Sequence, residues 1–86
     1  MFYVYILQSK KTTRLYTGST SNLRKRLQEH NQKLGFWTLD YAPWSIVYYE
    51  ACHNERDARS REKYLKSGMG KRYVKNRLKR FLSLTG

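Results

Sequence analysis

The chain opens on Phe2-Tyr3-Val4-Tyr5-Ile6-Leu7, apolar on both alternating faces and rich in β-branched and aromatic residues. That pattern predicts a central strand covered on both sides. Ser9 to Thr13 is a polar interruption of hairpin-loop length. Leu15 to Thr17 then predicts a second, antiparallel strand, and Gly18 marks its end. Thr20, Ser21 and Asn22 are all competent N-caps ahead of Leu23, and Leu23, Leu27 and Leu34 fall within about 40° of one another on a helical wheel. A helix from about Ser21 to Lys33 follows. On its wheel His30 lies inside the apolar stripe and Arg26 on its border, one turn apart, while Arg24 and Lys25 point outward.

Gly35 to Pro43 reads as an irregular, aromatic-rich connection, and Trp44 to Ala51 as a third strand. Asn54 caps a second helix whose first turn carries Glu55 and Asp57, the favoured charge at that end, and Gly68 is expected to stop it. A third helix from about Lys71 to Leu82 places Val74, Leu78, Phe81 and Leu82 on one face, with Lys and Arg opposite. The order is ββαβαα: an α+β fold with a small, three-stranded, mainly antiparallel sheet flanked by helices, in a single domain over residues 1–86.

Composition narrows the partners. Eighteen Lys and Arg against six Asp and Glu leave a net charge of +12 on 86 residues, so positive potential covers much of the surface. Eight tyrosines and 40% hydrophobic residues distinguish the chain from a disordered polybasic tail. No segment has the long apolar face of an interfacial helix or the length to span a bilayer, so a polyanion such as nucleic acid is the expected partner and a membrane is not. Cys52 is the only cysteine, which excludes an internal disulfide. A lysine pair follows the first apolar run too soon for a signal peptide, and a cytoplasmic location is expected.

One acid stands out. On the wheel of the second helix Ala58, Leu65 and Met69 cluster, and Glu62 lies within their stripe. A carboxylate there must neutralise, pair with a cation or bind metal. The structural reading is an ion pair with Lys66 one turn on, or with Arg26 across the core. Phosphodiester hydrolysis instead needs a base for the attacking water, positive charge for the developing phosphorane and help for the departing oxygen. Tyr5, Tyr16, Arg26, His30 and Glu62 are able to fill those roles. With so few acids a two-metal site is improbable; one ion on Glu62, its other positions filled by waters, is what the composition allows.

The chain resembles the GIY-YIG nuclease superfamily, specifically its small stand-alone members. The two signature triplets stand as Val4-Tyr5-Ile6 and Tyr16-Thr17-Gly18, and Asn22-Leu23, Arg26 and His30 match the family's helix with its essential arginine. Glu62, in Glu62-Lys63-Tyr64-Leu65-Lys66, sits where the family places its metal-binding glutamate. The first triplet lacks its glycine, and Ser19 stands where the excision-repair branch carries a lysine. Asn76 matches a family asparagine by order but points away from Val74 on the wheel, so it is left out of the site.

The resemblance implies a Mg²⁺-dependent DNA endonuclease, with Mn²⁺ as a possible substitute, acting in DNA repair or on branched or nicked structures. Tyr16, with a free-solution pKa of about 10 that must fall, is the base, assisted by His30. Arg26 holds the scissile phosphate, Tyr5 positions Tyr16 or the phosphate, and Glu62 holds the metal. Gly18 is read as letting the phosphate backbone approach, and Lys71, Arg72, Lys75 and Lys79 as binding substrate. Taken singly, Tyr5 and Tyr16 also read as core aromatics and His30 as a packed helix residue.

The alternative is a basic nucleic-acid-binding module with a silent site. From Arg56 to Arg80 eleven Lys or Arg face only Asp57 and Glu62, enough to bind DNA or RNA unaided. A metal-binding protein built on Cys52, His53 and His30 lacks a completing ligand. No base-reading element is apparent, so recognition of DNA structure, a partner protein or a homodimer all remain open.

Overall fold

A computed structural model describes residues 1–32 and 37–85, with the backbone alone for residues 83–85. The sheet is antiparallel throughout, with strand order β2-β1-β3: β1 is Phe2–Ser9, β2 Leu15–Thr20 and β3 Trp44–Cys52. The doubly apolar run is the central strand, as its pattern predicts. Val4 and Ile6 face one layer and Tyr5 and Leu7 the other, all 3% exposed or less.

The hairpin between β1 and β2 turns on Ser9, whose Oγ accepts from the backbone N–H of Lys11 and of Thr12 at 3.1 Å. Gly18 does not end β2. It pairs with Tyr5 inside the strand, and pairing continues to Thr20. The glycine is there because of its small size, argued below, and a turn is not needed.

Helix α1 spans Leu23–Gln32. Of the three eligible caps the structure uses Asn22, whose Oδ1 accepts from Lys25 N at 3.0 Å. The predicted end at Lys33, the stripe residue Leu34 and the start of the connection at Gly35 lie outside the described residues. The connection ends in a 3-10 turn at Trp37–Tyr41.

Helix α2, Glu55–Lys66, starts at Asn54, whose side chain accepts from Asp57 N at 2.8 Å. It stops just before Gly68, where the glycine predicts, and Ser67 acts twice: its N–H donates to Tyr64 O, closing α2, and its Oγ accepts from Gly70 N, opening α3 at Gly68–Arg77. The predicted third helix is therefore two helices. A break at Leu78 (φ −102°, ψ 14°) separates α3 from α4, Lys79–Thr85. Met69, predicted on the α2 stripe, falls in the first turn of α3 and is 72% exposed, because the helical phase restarts at Ser67. Phe81, predicted on the apolar face, is 38% exposed for the same kind of reason, whereas Val74 and Leu78 are buried.

Two apolar layers result. Val4, Ile6, Ala58, Leu65, Val74 and Leu78 form the core under α2 and α3. Tyr5, Leu7 and Trp44 form a smaller one under α1, with Tyr16, Leu23 and Leu27 packed around it.

Candidate active site

Directly opposed residues of an antiparallel pair share a sheet face. The register Tyr5↔Gly18 and Leu7↔Tyr16 therefore puts both tyrosines on the α1 side, and Val4↔Ser19 puts Ser19 on the α2 side. Because β2 is an edge strand, the two faces meet along its free edge.

On the α1 side, Tyr5 OH lies 3.0 Å from His30 Nε2, and His30 Nδ1 lies 2.8 Å from Thr38 Oγ1. All three residues are buried. Tyr16 packs on this pair, its ring centroid 4.7 Å from that of His30 and 6.3 Å from that of Tyr5. Trp37 covers Tyr16 at 5.7 Å and Trp44 meets it edge-on at 6.2 Å. Burial pushes the Tyr5 hydroxyl far above the ordinary phenol range, reinforced by the neighbouring Tyr16 and only partly opposed by Arg26. Tyr5 is thus a permanently protonated hydrogen-bonding group. Burial, and then the Arg26 charge, lower His30, so at neutral pH its ring is uncharged with one donor and one acceptor to share between Tyr5 and Thr38.

Gly18 is buried against this chain. A Cβ there would stand 2.5 Å from Tyr5 Oη and 3.1 Å from Tyr16 Cε1. The space its side chain would fill is occupied by the Tyr5 phenol.

On the α2 side, Ser19 Oγ donates to Glu62 Oε1 at 2.6 Å and Lys66 Nζ donates to Oε2 at 2.7 Å. Of the two expected ion-pair partners the structure selects Lys66; Arg26 instead approaches Glu29, Nε to Oε1, at 3.6 Å. Ala58 and Leu65 are buried as predicted, but the Glu62 side chain keeps 22% exposure. Burial raises its pKa, and the hydrogen bonds from Lys66 and Ser19, with the charges of Lys66 and Arg59, outweigh that and hold it below the usual carboxylate range. Glu62 is therefore ionised. Arg26 lines a polar hollow of about 210 Å³ together with Ser19, Thr20, Ser21 and Arg59, at the junction of the two sides.

The family model described as the GIY-YIG catalytic domain matches residues 1–77. The chain belongs to the GIY-YIG family. A UPF0213 protein of Clostridium perfringens is 48% identical over 67 residues, which covers 77% of this chain and 71% of that protein. A UPF0213 protein of Pediococcus pentosaceus is 35% identical over 85 residues, covering 98% and 88%. One from Streptococcus pyogenes is 40% identical over 65 residues, covering 74% and 70%. No solved structure matches the chain.

In this GIY-YIG domain the predicted catalytic set divides between the two faces: Tyr5, Tyr16 and His30 form one packed group, and Glu62 sits apart with Ser19 and Lys66. The predicted substrate lysines also divide. Lys71 and Lys75 line a cleft with Tyr16, whereas Lys79 opens onto a separate hollow with Asn76, Arg77 and Arg80. Arg72 is exposed on α3 and lines neither. Two residues of the arrangement were not placed in the site by the sequence reading. Ser19 was detectable, since strand alternation puts it opposite Gly18 and toward α2; Thr38, in an irregular connection, gave no signal.

Among the described residues no group of three His, Cys, Asp or Glu converges. A hard cation that keeps most of its waters requires only one or two carboxylates, so Glu62 fits Mg²⁺ as a single protein ligand. Among the described residues no helix is long and apolar enough to cross a membrane.

Proposed function

We propose that the chain is a Mg²⁺-dependent DNA endonuclease in which Tyr16 is the general base. The observation that carries this reading is the unequal treatment of the two tyrosines: Tyr5 is buried and fixed on His30, while Tyr16 lies at the strand edge over the same histidine. Tyr16, having released its own proton to solvent, accepts one from the attacking water as the phenolate. His30 and Tyr5 hold its ring in place, and Arg26 binds the scissile phosphate from the polar hollow beside Ser19. Glu62 is the metal ligand, and a bound divalent ion supplies positive charge for the leaving oxygen. Lys71, Arg72, Lys75 and Lys79 retain the DNA backbone, and DNA repair or branched and nicked structures are the setting we assign to it.

A second reading has its own support. Both Glu62 oxygens already accept hydrogen bonds, so a metal must compete with Lys66, and a domain in which it fails is a binding module. Cleavage of supercoiled, nicked, flapped and branched DNA with Mg²⁺ separates the two. Tyr16→Phe and Glu62→Ala are expected to lower cleavage by at least a hundredfold while affinity in chelator stays within about threefold. Wild-type protein that binds all four DNAs and cuts none with Mg²⁺ or Mn²⁺ establishes the binding module instead.

A further inference from the structure

Beside the site runs a cleft of about 300 Å³ whose apolar lining has no part in the mechanism, although Tyr16, Lys71 and Lys75 border it. Its floor is the edge of the main core, Ile6, Leu15, Leu65 and Val74, and its wall is Tyr16 and Trp37. Trp37 is 54% exposed although it packs against both Tyr16 and Tyr41, at 5.7 Å each. Lys66, Lys71 and Lys75 stand around the cleft. It adjoins the candidate site twice, since Tyr16 lines both and Lys66, on its rim, is the ion-pair partner of Glu62.

We propose that this cleft is a subsite for one unpaired nucleobase next to the scissile phosphate, so that the substrate is DNA carrying a flap or single-stranded segment. The inference rests on the nucleic-acid reading above and adds the substrate class. A nucleotide is apolar and aromatic at one end and anionic at the other. The cleft has the complementary order, with an apolar floor and indole wall inside and three ammonium groups around it. The remaining charge of the chain, +12 in all, selects the same polyanion. Its volume is at the small end for ligand sites, roughly 300–1,000 Å³, which admits a base and excludes a duplex. A paired base keeps its faces stacked inside the helix and offers nothing to Trp37; a base outside the stack does.

The test compares two probes in chelator, without metal: a duplex with a three-thymidine flap, and the same duplex whose flap has three abasic nucleotides. The phosphates are identical, so the affinity ratio isolates the base. Wild-type protein is expected to bind the thymidine flap roughly 5- to 100-fold more tightly, the range of one stacked base. Trp37→Ala should bring the ratio close to one, while Lys71→Gln with Lys75→Gln should weaken both probes and leave the ratio in place. Equal affinity of wild-type protein for the two flaps overturns the proposal, and that comparison needs no variant to fold. A dimer in sedimentation equilibrium that Trp37→Ala dissolves overturns it too, by making a second copy the occupant. Base preference without Mg²⁺-dependent cleavage keeps the subsite and removes the nuclease, whereas cleavage without base preference does the reverse.

Discussion

At position 18 the chain has no side chain, and the consequence falls on Tyr5, whose hydroxyl passes 2.5 Å from where a Cβ would stand and goes on to His30. The tyrosine of the first triplet and the glycine of the second are thus two halves of one packing arrangement. Sequence order shows that both are present but not that they touch. His30 was legible as an inward residue from its wheel position, and its neighbours on both sides were not, since Tyr5 is 25 residues away and Thr38 lies in a turn without periodicity. The histidine's lowered pKa has a stability consequence. The unfolded chain binds its proton near pH 6.5 and the folded one only at lower pH, so the contribution is complete above pH 6.5 and is lost as pH falls through the folded value. Urea midpoints from pH 8 to pH 5 should fall for wild-type protein and fall less for His30→Gln, which offers Tyr5 an amide that does not titrate. Glu62 is depressed from 4.5, so its loss belongs chiefly to a more acid range. Parallel curves for the two proteins between pH 7 and pH 5 would contradict the assignment.

Among the elements, β1 and β3 were legible as apolar, β-branched and aromatic runs and α1 from its apolar stripe, whereas β2 runs past the end read at Gly18 and the last two helices were misread as one. The run from Lys71 to Leu82 keeps a helical period across Leu78, so the break there is invisible to the pattern. The stop predicted at Gly68 holds, with Ser67 as the cap, but of the two glycines two residues apart the structurally demanding one is the second. Gly70 is buried where α3 crosses the end of α2, and a Cβ on it would collide with Tyr64 O and stand 2.5 Å from Leu65 Cα, both backbone atoms that cannot rotate away. At Gly68 nothing lies within 4 Å. Gly70→Ala is therefore expected to cost about 3 kcal/mol or more, by forcing α3 off the Leu65 and Val74 core. Gly68→Ala should be neutral or stabilising by up to about 1 kcal/mol, since it adds only helix propensity. Denaturant titration of the two variants checks this, and equal effects would mean that the α2–α3 crossing does not carry the core.

Over the whole molecule, charge sets affinity but geometry decides where it acts. Lys71, Lys75 and Lys79 are spaced at i, i+4 and i+8, so on a continuous helix they would form one row along a bound backbone. The break at Leu78 removes that row: Lys71 and Lys75 remain at the cleft beside Tyr16, and Lys79 begins α4 and opens onto the hollow with Asn76 and Arg77. Affinity for DNA falls with salt by a logarithmic slope of about 0.9 for each duplex phosphate neutralised. If the unpaired strand crosses the cleft, where the slope is about 0.7 for each single-strand phosphate, Lys71→Gln with Lys75→Gln should flatten it by about 1.4, and Lys79→Gln alone by much less than about 0.7. Cleavage by the double variant should fall in step with occupancy and recover at low salt or saturating DNA, because neither lysine is assigned a part in the chemical step. A slope that responds equally to all three lysines would place the DNA along both helices, on the outer basic face instead of at the strand edge. In that geometry the tyrosine proposed as the base would be left without a phosphate to serve, and the binding module would be the better account of this GIY-YIG domain.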